Sequence, residues 1–285
     1  MNRSERIEIA RQTIDIVERG YYELDGERID IGDAIQECHT HTRLYTGEQL
    51  TTLRNALLAS NREKSKTEIE VRNETTLAGL NRIVGEGEGS IAVLNFASAK
   101  NAGGGFFNGS QAQEESLARS SALYSSLLKA PQFYERHRKN PTLLYSDAMI
   151  LSPNCPVFRN DEGDLLSKPQ LATFITSAAP NAGATADNRP SELPQVPQVL
   201  HDRAELVLAL AAHLEYDQLI LGAWGCGVFR NDPKVVANAF AAHLLGNYAG
   251  CFRRVIFSVF DNSSAQTTYS AFNVAFASDA LYGIS

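Results

Sequence analysis

The chain has 285 residues, 44% of them hydrophobic and 21% charged, which is enough apolar material for one full core and close to an ordinary globular composition. That balance excludes wholesale disorder, a collagen-like repeat and a disulfide-stapled mini-scaffold. With 26 basic against 33 acidic residues the formal net charge is −7, so the basic excess on which non-specific duplex binding relies is absent.

In chain order, Ile7, Ala10, Ile14 and Val17 recur at helical spacing over residues 4–19, and Gly20 is placed to stop that helix. YYELDG and ERIDI flank Asp25-Gly26, a hairpin turn signal, and residues 47–60 read as a second helix running into the polar stretch NREKSK. A soft boundary is placed there, between 1–65 and 66–285. Cys38-His39-Thr40-His41 lacks a later pair at zinc-ligand spacing and reads as a polar turn.

From residue 67 extended and helical segments alternate. TEIEV precedes a helix after Thr75, SIAVLNFAS a helix from about Gln113, and AMILS, LATFIT, QLILGAW and RRVIFSVF are further strands, the last two separated by a helix over 232–245. Uniformly apolar strands such as AVLNF and VIFSVF predict burial on both faces, hence an α/β sheet covered by helices on both sides. Residues 177–198, rich in Pro, Gly, Ala and Asn, read as one long functional loop. The run Arg136-His137-Arg138-Lys139 reads as a solvated helix end, and Asp161-Glu162-Gly163-Asp164, which lacks regular calcium-ligand spacing, as a surface turn.

The four cysteines, Cys38, Cys155, Cys226 and Cys251, show no CxxC spacing, and the N-terminus is too charged for a secretory signal. LVLALAAHL at 206–214 has about half of the roughly 20 apolar residues a membrane span needs. A soluble, cytoplasmic, monomeric protein with reduced thiols and no membrane or duplex nucleic-acid partner is expected.

Chemistry concentrates at 91–128, where a buried strand empties into Gly103, Gly104 and Gly105 before a helix opening with Gln113-Glu114-Glu115. Glycines at the carboxyl end of a strand let backbone N–H groups approach a phosphate. They match neither GxGxxG nor GxxxxGK[ST]. Taken alone, acids in a first helical turn simply meet the positive end of the macrodipole. A second glycine loop, LILGAWGCGVFRNDP, places Gly222, Gly225 and Gly227 between a strand and a helix opening at Asp232-Pro233. Its plain structural reading is a turn with Phe229 in the core.

The combination of NAGGG, seven residues and QEE resembles the signature of poly(ADP-ribose) glycohydrolases, and most of all the bacterial-type branch. The resemblance spans roughly residues 66–285 and is sharp only in the two loops; SVFDNS at 258–263 is similar to the last macrodomain strand. It implies a macrodomain-like three-layer α/β/α fold with a mixed central sheet, preceded by a mainly helical N-terminal extension over 1–65. It implies ADP-ribose and poly(ADP-ribose), carried on ADP-ribosylated proteins, as partners, no metal or other cofactor, and cleavage from chain ends. Glu115 is then the general acid/base and Glu114 positions the ribose. Asn101 meets ribose hydroxyls, and Gly103, Gly104, Gly105, Gln113, Gly225, Cys226, Gly227, Val228 and Phe229 complete the binding site, Phe229 against the distal ribose. A reader of ADP-ribose without turnover, or a hydrolase of single ADP-ribosyl groups on protein or nucleic acid, are the alternatives; simple binding does not require the acidic pair. Adjacent helical residues point about 100° apart, so the two glutamates cannot share one task. Because the helix N-terminus favours the carboxylate, we expect substrate diphosphate and desolvation by Phe106, Phe107 or Phe229 to favour neutral Glu115 in the complex only.

Overall fold

The structure, a computed structural model, describes residues 1–60, 66–87 and 89–277. The boundary placed in the polar stretch falls on 61–65, outside the described residues. In the N-terminal part the elements are α1 (Arg3–Arg19), β1 (Tyr21–Leu24), β2 (Glu27–Asp30), α2 (Gly32–His41), β3 (Arg43–Tyr45) and α3 (Gly47–Ala59). A capping box opens α1, with the Asn2 side chain accepting from the Glu5 N–H and Glu5 accepting from the Asn2 N–H, and left-handed Gly20 ends it. Asp25 and Gly26 both have positive φ, the two-residue turn that matches strand twist between β1 and β2.

There follow β4 (Glu68–Arg72), α4 (Thr76–Glu86), β5 (Ile91–Phe96), α5 (Gln113–Ser120), α6 (Leu123–Leu127), α7 (Pro131–Lys139), β6 (Met149–Arg159) and β7 (Leu165–Ser177). The chain continues through α8 (Ala182–Asn188), α9 (Val196–His213), β8 (Gln218–Leu221), α10 (Pro233–Leu244), β9 (Arg254–Ser258) and α11 (Thr267–Ala275). The main sheet has seven strands in the order β3-β6-β7-β5-β8-β9-β4. β7, β5, β8, β9 and β4 run parallel, whereas β6 and β3 add antiparallel partners at one edge.

Side-chain alternation splits the core into two layers. Ala92 and Leu94 join Leu219, Leu221, Val255 and Phe257 under α3, α9, α10 and α11, while Val93, Ile220 and Ile256 pack under α1, α2 and α4 to α7. The expected helices on both faces are therefore present, and the sheet is mixed. β3 pairs with β6, so a strand from the first sixty-five residues extends the main sheet.

Four sequence readings are corrected. Residues 177–198 are not a continuous loop, because the Asn181 side chain accepts from Ala184 N–H and starts α8, and a 3-10 segment over Pro190–Gln195 leads into α9. Cys38 to His41 form the last turns of α2 rather than a polar turn, with Cys38 buried and His39 Nε2 2.8 Å from Ser125 Oγ. The basic run is the last turn of α7, but His137 is fully buried in it, edge-on to Phe133 and beside Tyr145. Finally, AMILS covers only the start of β6 and LATFIT only the C-terminal half of β7, since the two longer strands form one antiparallel hairpin.

Candidate active site

The C-terminal ends of β5 and β8 open into a cavity of about 550 Å³, the crevice position in which parallel sheets hold ligands. One wall is the glycine loop after β5 with the first turn of α5, and the other is the loop from Ala223 to Phe229 after β8. Both loops start where an apolar strand stops, so the sheet holds two backbone-rich turns against each other.

The two glutamates have different surroundings. Glu114 is 2% exposed, and both its oxygens are engaged: Oε2 accepts from Ser98 N–H at 2.6 Å and Oε1 from Asn95 Nδ2 at 3.3 Å. Burial, reinforced by the neighbouring Glu115 charge and opposed by these hydrogen bonds, pushes its carboxyl up to about 8. Glu115 is 8% exposed, and its Oε1 accepts from Gly105 N–H at 2.8 Å. Its second oxygen makes no hydrogen bond among the described residues, and the residue lines the cavity. Gly104 makes this possible: its φ is 58°, and a Cβ there would sit 2.4 Å from Glu115 Oε1.

Gln113 is spent on the scaffold. Its Oε1 accepts from Phe96 N–H at 2.8 Å and its Nε2 donates to Leu94 O at 2.7 Å, so the side chain splints the end of β5 to the start of α5 while also bordering the cavity. Asn101 is exposed at the cavity lip, its carbonyl accepting from Gly104 N–H.

On the opposite wall the N–H groups of Gly225, Gly227, Val228 and Phe229 donate to no protein acceptor among the described residues, leaving a row of donors suited to an anion. Val228 is 79% exposed. Phe229 lines the cavity, with its carbonyl taken by Gly183 N–H and its ring 6.0 Å from that of Tyr145. Tyr145 adopts a left-handed φ of 59° and is held by buried Arg203, which donates to Leu144 O at 3.0 Å and Ala178 O at 2.7 Å and pairs with Asp147 at 2.8 Å.

Of the residues expected in the site, ten line this one cavity: Asn101, Gly104, Gly105, Gln113, Glu114, Glu115, Gly225, Gly227, Val228 and Phe229. Gly103 lies beneath the loop against Tyr124, and Cys226 faces an adjoining cavity of about 350 Å³, its thiol pushed up to about 12 by burial. The three phenylalanines expected around Glu115 divide. Phe229 borders the cavity, whereas Phe106 is buried against Ala10 and Ala118 and Phe107 packs edge-on to Tyr124 outside the lining. Sequence reasoning missed Asn95, Ser98 and Trp224, whose indole donates to Ser177 O at 3.0 Å. Asn95 alone left a signal, as a polar residue within the apolar strand IAVLNF.

Among the described residues no group of His, Cys, Asp and Glu is arranged to hold a metal ion, and no helix is long and apolar enough to cross a membrane.

The family model "Microbial-type PARG, catalytic domain", where PARG stands for poly(ADP-ribose) glycohydrolase, matches residues 10–160. Poly(ADP-ribose) glycohydrolase from Thermomonospora curvata is 45% identical with a TM-score of 0.91, the match covering 96% of this chain and 100% of that one. The same enzyme bound to the inhibitor ADP-HPD gives 45% identity and a TM-score of 0.88 over the same shares. Poly(ADP-ribose) glycohydrolase from Deinococcus radiodurans in complex with ADP-ribose is 45% identical with a TM-score of 0.81, covering 90% of this chain and 99% of that one. A search of curated proteins finds no match. The fold is the macrodomain-like α/β/α arrangement that the loop signature implied. On the strength of the family match and the near-complete structural overlap, the chain belongs to the microbial-type poly(ADP-ribose) glycohydrolase family, a family of glycosidase-type hydrolases.

Proposed function

We propose that this chain hydrolyses the ribose–ribose O-glycosidic bonds of poly(ADP-ribose), releasing ADP-ribose from chain ends, with Glu115 as general acid/base and Glu114 holding the ribose. The observation that carries the assignment of roles is the asymmetry of the pair: Glu114 has both oxygens bound by N–H donors, while Glu115 keeps one oxygen free at the cavity. A carboxyl group that burial keeps protonated, with both oxygens engaged, is poorly placed to attack carbon, so Glu115 alone supplies both proton transfers.

In this mechanism the bond between the anomeric carbon and the leaving ribose oxygen breaks through an oxocarbenium-like transition state, and that oxygen takes the Glu115 proton. Water then bonds to the anomeric carbon and returns a proton to Glu115, which restores the starting state. Gly105 N–H fixes the reacting carboxyl in one rotamer, the kind of preorganisation on which such transfers depend. Glu114, largely protonated at neutral pH, donates to a ribose hydroxyl, and Asn101 meets a second one. The donor row from Gly225 to Phe229 receives the diphosphate, and Phe229 covers the distal ribose.

On the same reading residues 66–285 form the catalytic domain and 1–65 its extension. The natural substrate is polymer on ADP-ribosylated proteins, met in the cytoplasm by a monomer that needs no cofactor. A reader without turnover is disfavoured by the engaged acidic pair, which binding does not need. Incubation with purified polymer followed by chromatography tests the proposal. Early accumulation of free ADP-ribose without intermediate oligomers is expected, and binding without release, or release only from singly modified protein, would overturn it.

A further inference from the structure

None of the described residues among the first sixty lines the cavity, yet α1 reaches the loop that carries the acidic pair. Between Gly105 and Gln113 the chain makes one 3-10 turn, Phe106–Asn108, and then presents three consecutive carbonyls. Each is taken by a different guanidinium. Arg3 Nε donates to Asn108 O at 2.9 Å, Arg6 Nε to Gly109 O at 2.7 Å, and Arg119 Nη1 to Ser110 O at 2.8 Å. None of these three arginines makes an ion pair with a carboxylate among the described residues; besides the loop carbonyls, Arg6 Nη1 donates to Met1 O at 2.9 Å and Arg119 Nη2 to Gln111 Oε1 at 2.6 Å and Ser116 Oγ at 3.3 Å.

The contact is close. Gly109 has φ 67°, and a Cβ there would lie 2.6 Å from Arg3 O and 3.0 Å from Ile7 Cγ1. Ala10 of α1 packs with Phe106 and Ala118, one residue from the loop and one from α5. Thr13 Oγ1 donates to Arg119 O at 2.6 Å, so α1 is tied to the far end of α5 as well. The 105–120 unit, with Glu115 in its middle, is thus bracketed at both ends by one helix from the N-terminal segment.

We infer that α1 is a positioning element of the reaction, with Arg3 and Arg6 holding the loop so that Gly105 N–H fixes one Glu115 oxygen and leaves the other free for proton transfer. Charge-assisted bonds to carbonyls are among the stronger ones a loop can receive, and misplacement of a reacting group by about 1 Å can cost on the order of 10²-fold in rate. The inference rests on the assignment of Glu115 as the acid/base. It also gives the N-terminal segment a part in turnover without contact to substrate.

The test uses the full chain with Arg3→Met, Arg6→Met, the double variant, Arg6→Lys, and Arg11→Met as a control on the exposed face of the same helix. The double variant should lower kcat on purified polymer about tenfold while KM and ADP-ribose affinity stay within about twofold. Its Gly105 amide should exchange hydrogen at least about tenfold faster than in the wild type. Arg6→Lys, which keeps a charged donor, should recover part of the loss, and Arg11→Met should match the wild type. A lower Tm with kcat and Gly105 exchange unchanged would overturn the inference, as would a raised KM with kcat kept, since that would make the arginines polymer contacts. If the double variant does not fold, Arg3→Met is read by the same measurements. If the wild type itself releases no ADP-ribose, the glycohydrolase assignment fails, and Gly105 exchange alone decides whether α1 holds the loop.

Discussion

Glu114→Gln should remove a pH dependence from folding stability. The carboxyl lies at the carboxyl end of β5, 2% exposed, and burial followed by the Glu115 charge pushes it up to about 8 from an ordinary 4.5. Between those values the native chain holds a proton that the unfolded chain has released. Stability is therefore fully present below the unfolded pKa and is lost as pH rises through the folded one, at roughly 1.4 kcal/mol per pH unit. A glutamine is neutral throughout, and the Asn95 Oδ1, which has no partner among the described residues, can turn to accept from its amide. Urea denaturation of both proteins at 25 °C should show the variant gaining on the wild type by about 1.4 kcal/mol for each unit from pH 5 to pH 7.5, with the difference levelling off above about pH 8. A constant difference across that range, or one that moves the other way, would refute the argument that burial governs this carboxyl.

Phe229→Ala should weaken ADP-ribose binding about tenfold by calorimetry, roughly 1.4 kcal/mol, through loss of the ring that borders the cavity; unchanged affinity would remove the ring from the site. For Gly104→Ala, a methyl group 2.4 Å from Glu115 Oε1 at a φ of 58° should cost on the order of 10²-fold in kcat, and near-normal turnover would show that the loop can relax around Glu115. Cys226→Ala should keep activity within about twofold, because the thiol is protonated at neutral pH and its one hydrogen bond among the described residues is a 3.9 Å contact to Trp224 O. Loss of activity on treating the wild type, but not Cys226→Ala, with an alkylating agent at pH 7 would contradict that account.

Local patterns were legible in the sequence and long-range ones were not. The spacing Ile7, Ala10, Ile14 and Val17 marked α1, Asp25-Gly26 marked a hairpin turn, and the apolar runs at β5 and β9 announced a two-sided sheet. The glycines and the QEE triplet could be read because both walls of the site come from contiguous segments. The Pro-rich stretch at 177–198 misled because proline also suits the first turn of a helix, where Pro190 and Pro197 stand. β3 has three residues, too few to carry a period, and is a strand because β6 offers an edge. His137 reads as polar but is buried because Ser146 satisfies Nε2, with N–H and Oγ at 3.1 and 2.7 Å. The different surroundings of Glu114 and Glu115 could not be foreseen either, since Asn95 comes from the strand next door and Ser98 N–H from a turn that only the folded chain brings to the carboxyl. For the same reason the contact of Arg3 and Arg6 with a loop about a hundred residues away leaves no trace in local sequence.

The most direct test of the central claim is release of free ADP-ribose from purified poly(ADP-ribose) by the wild type and by Glu115→Gln, with ADP-ribose binding of both followed by calorimetry. The account predicts release by the wild type, a loss of about 10²- to 10⁴-fold in the variant, and binding kept within a few-fold. A variant that still releases ADP-ribose at near the wild-type rate would contradict Glu115 as the acid/base.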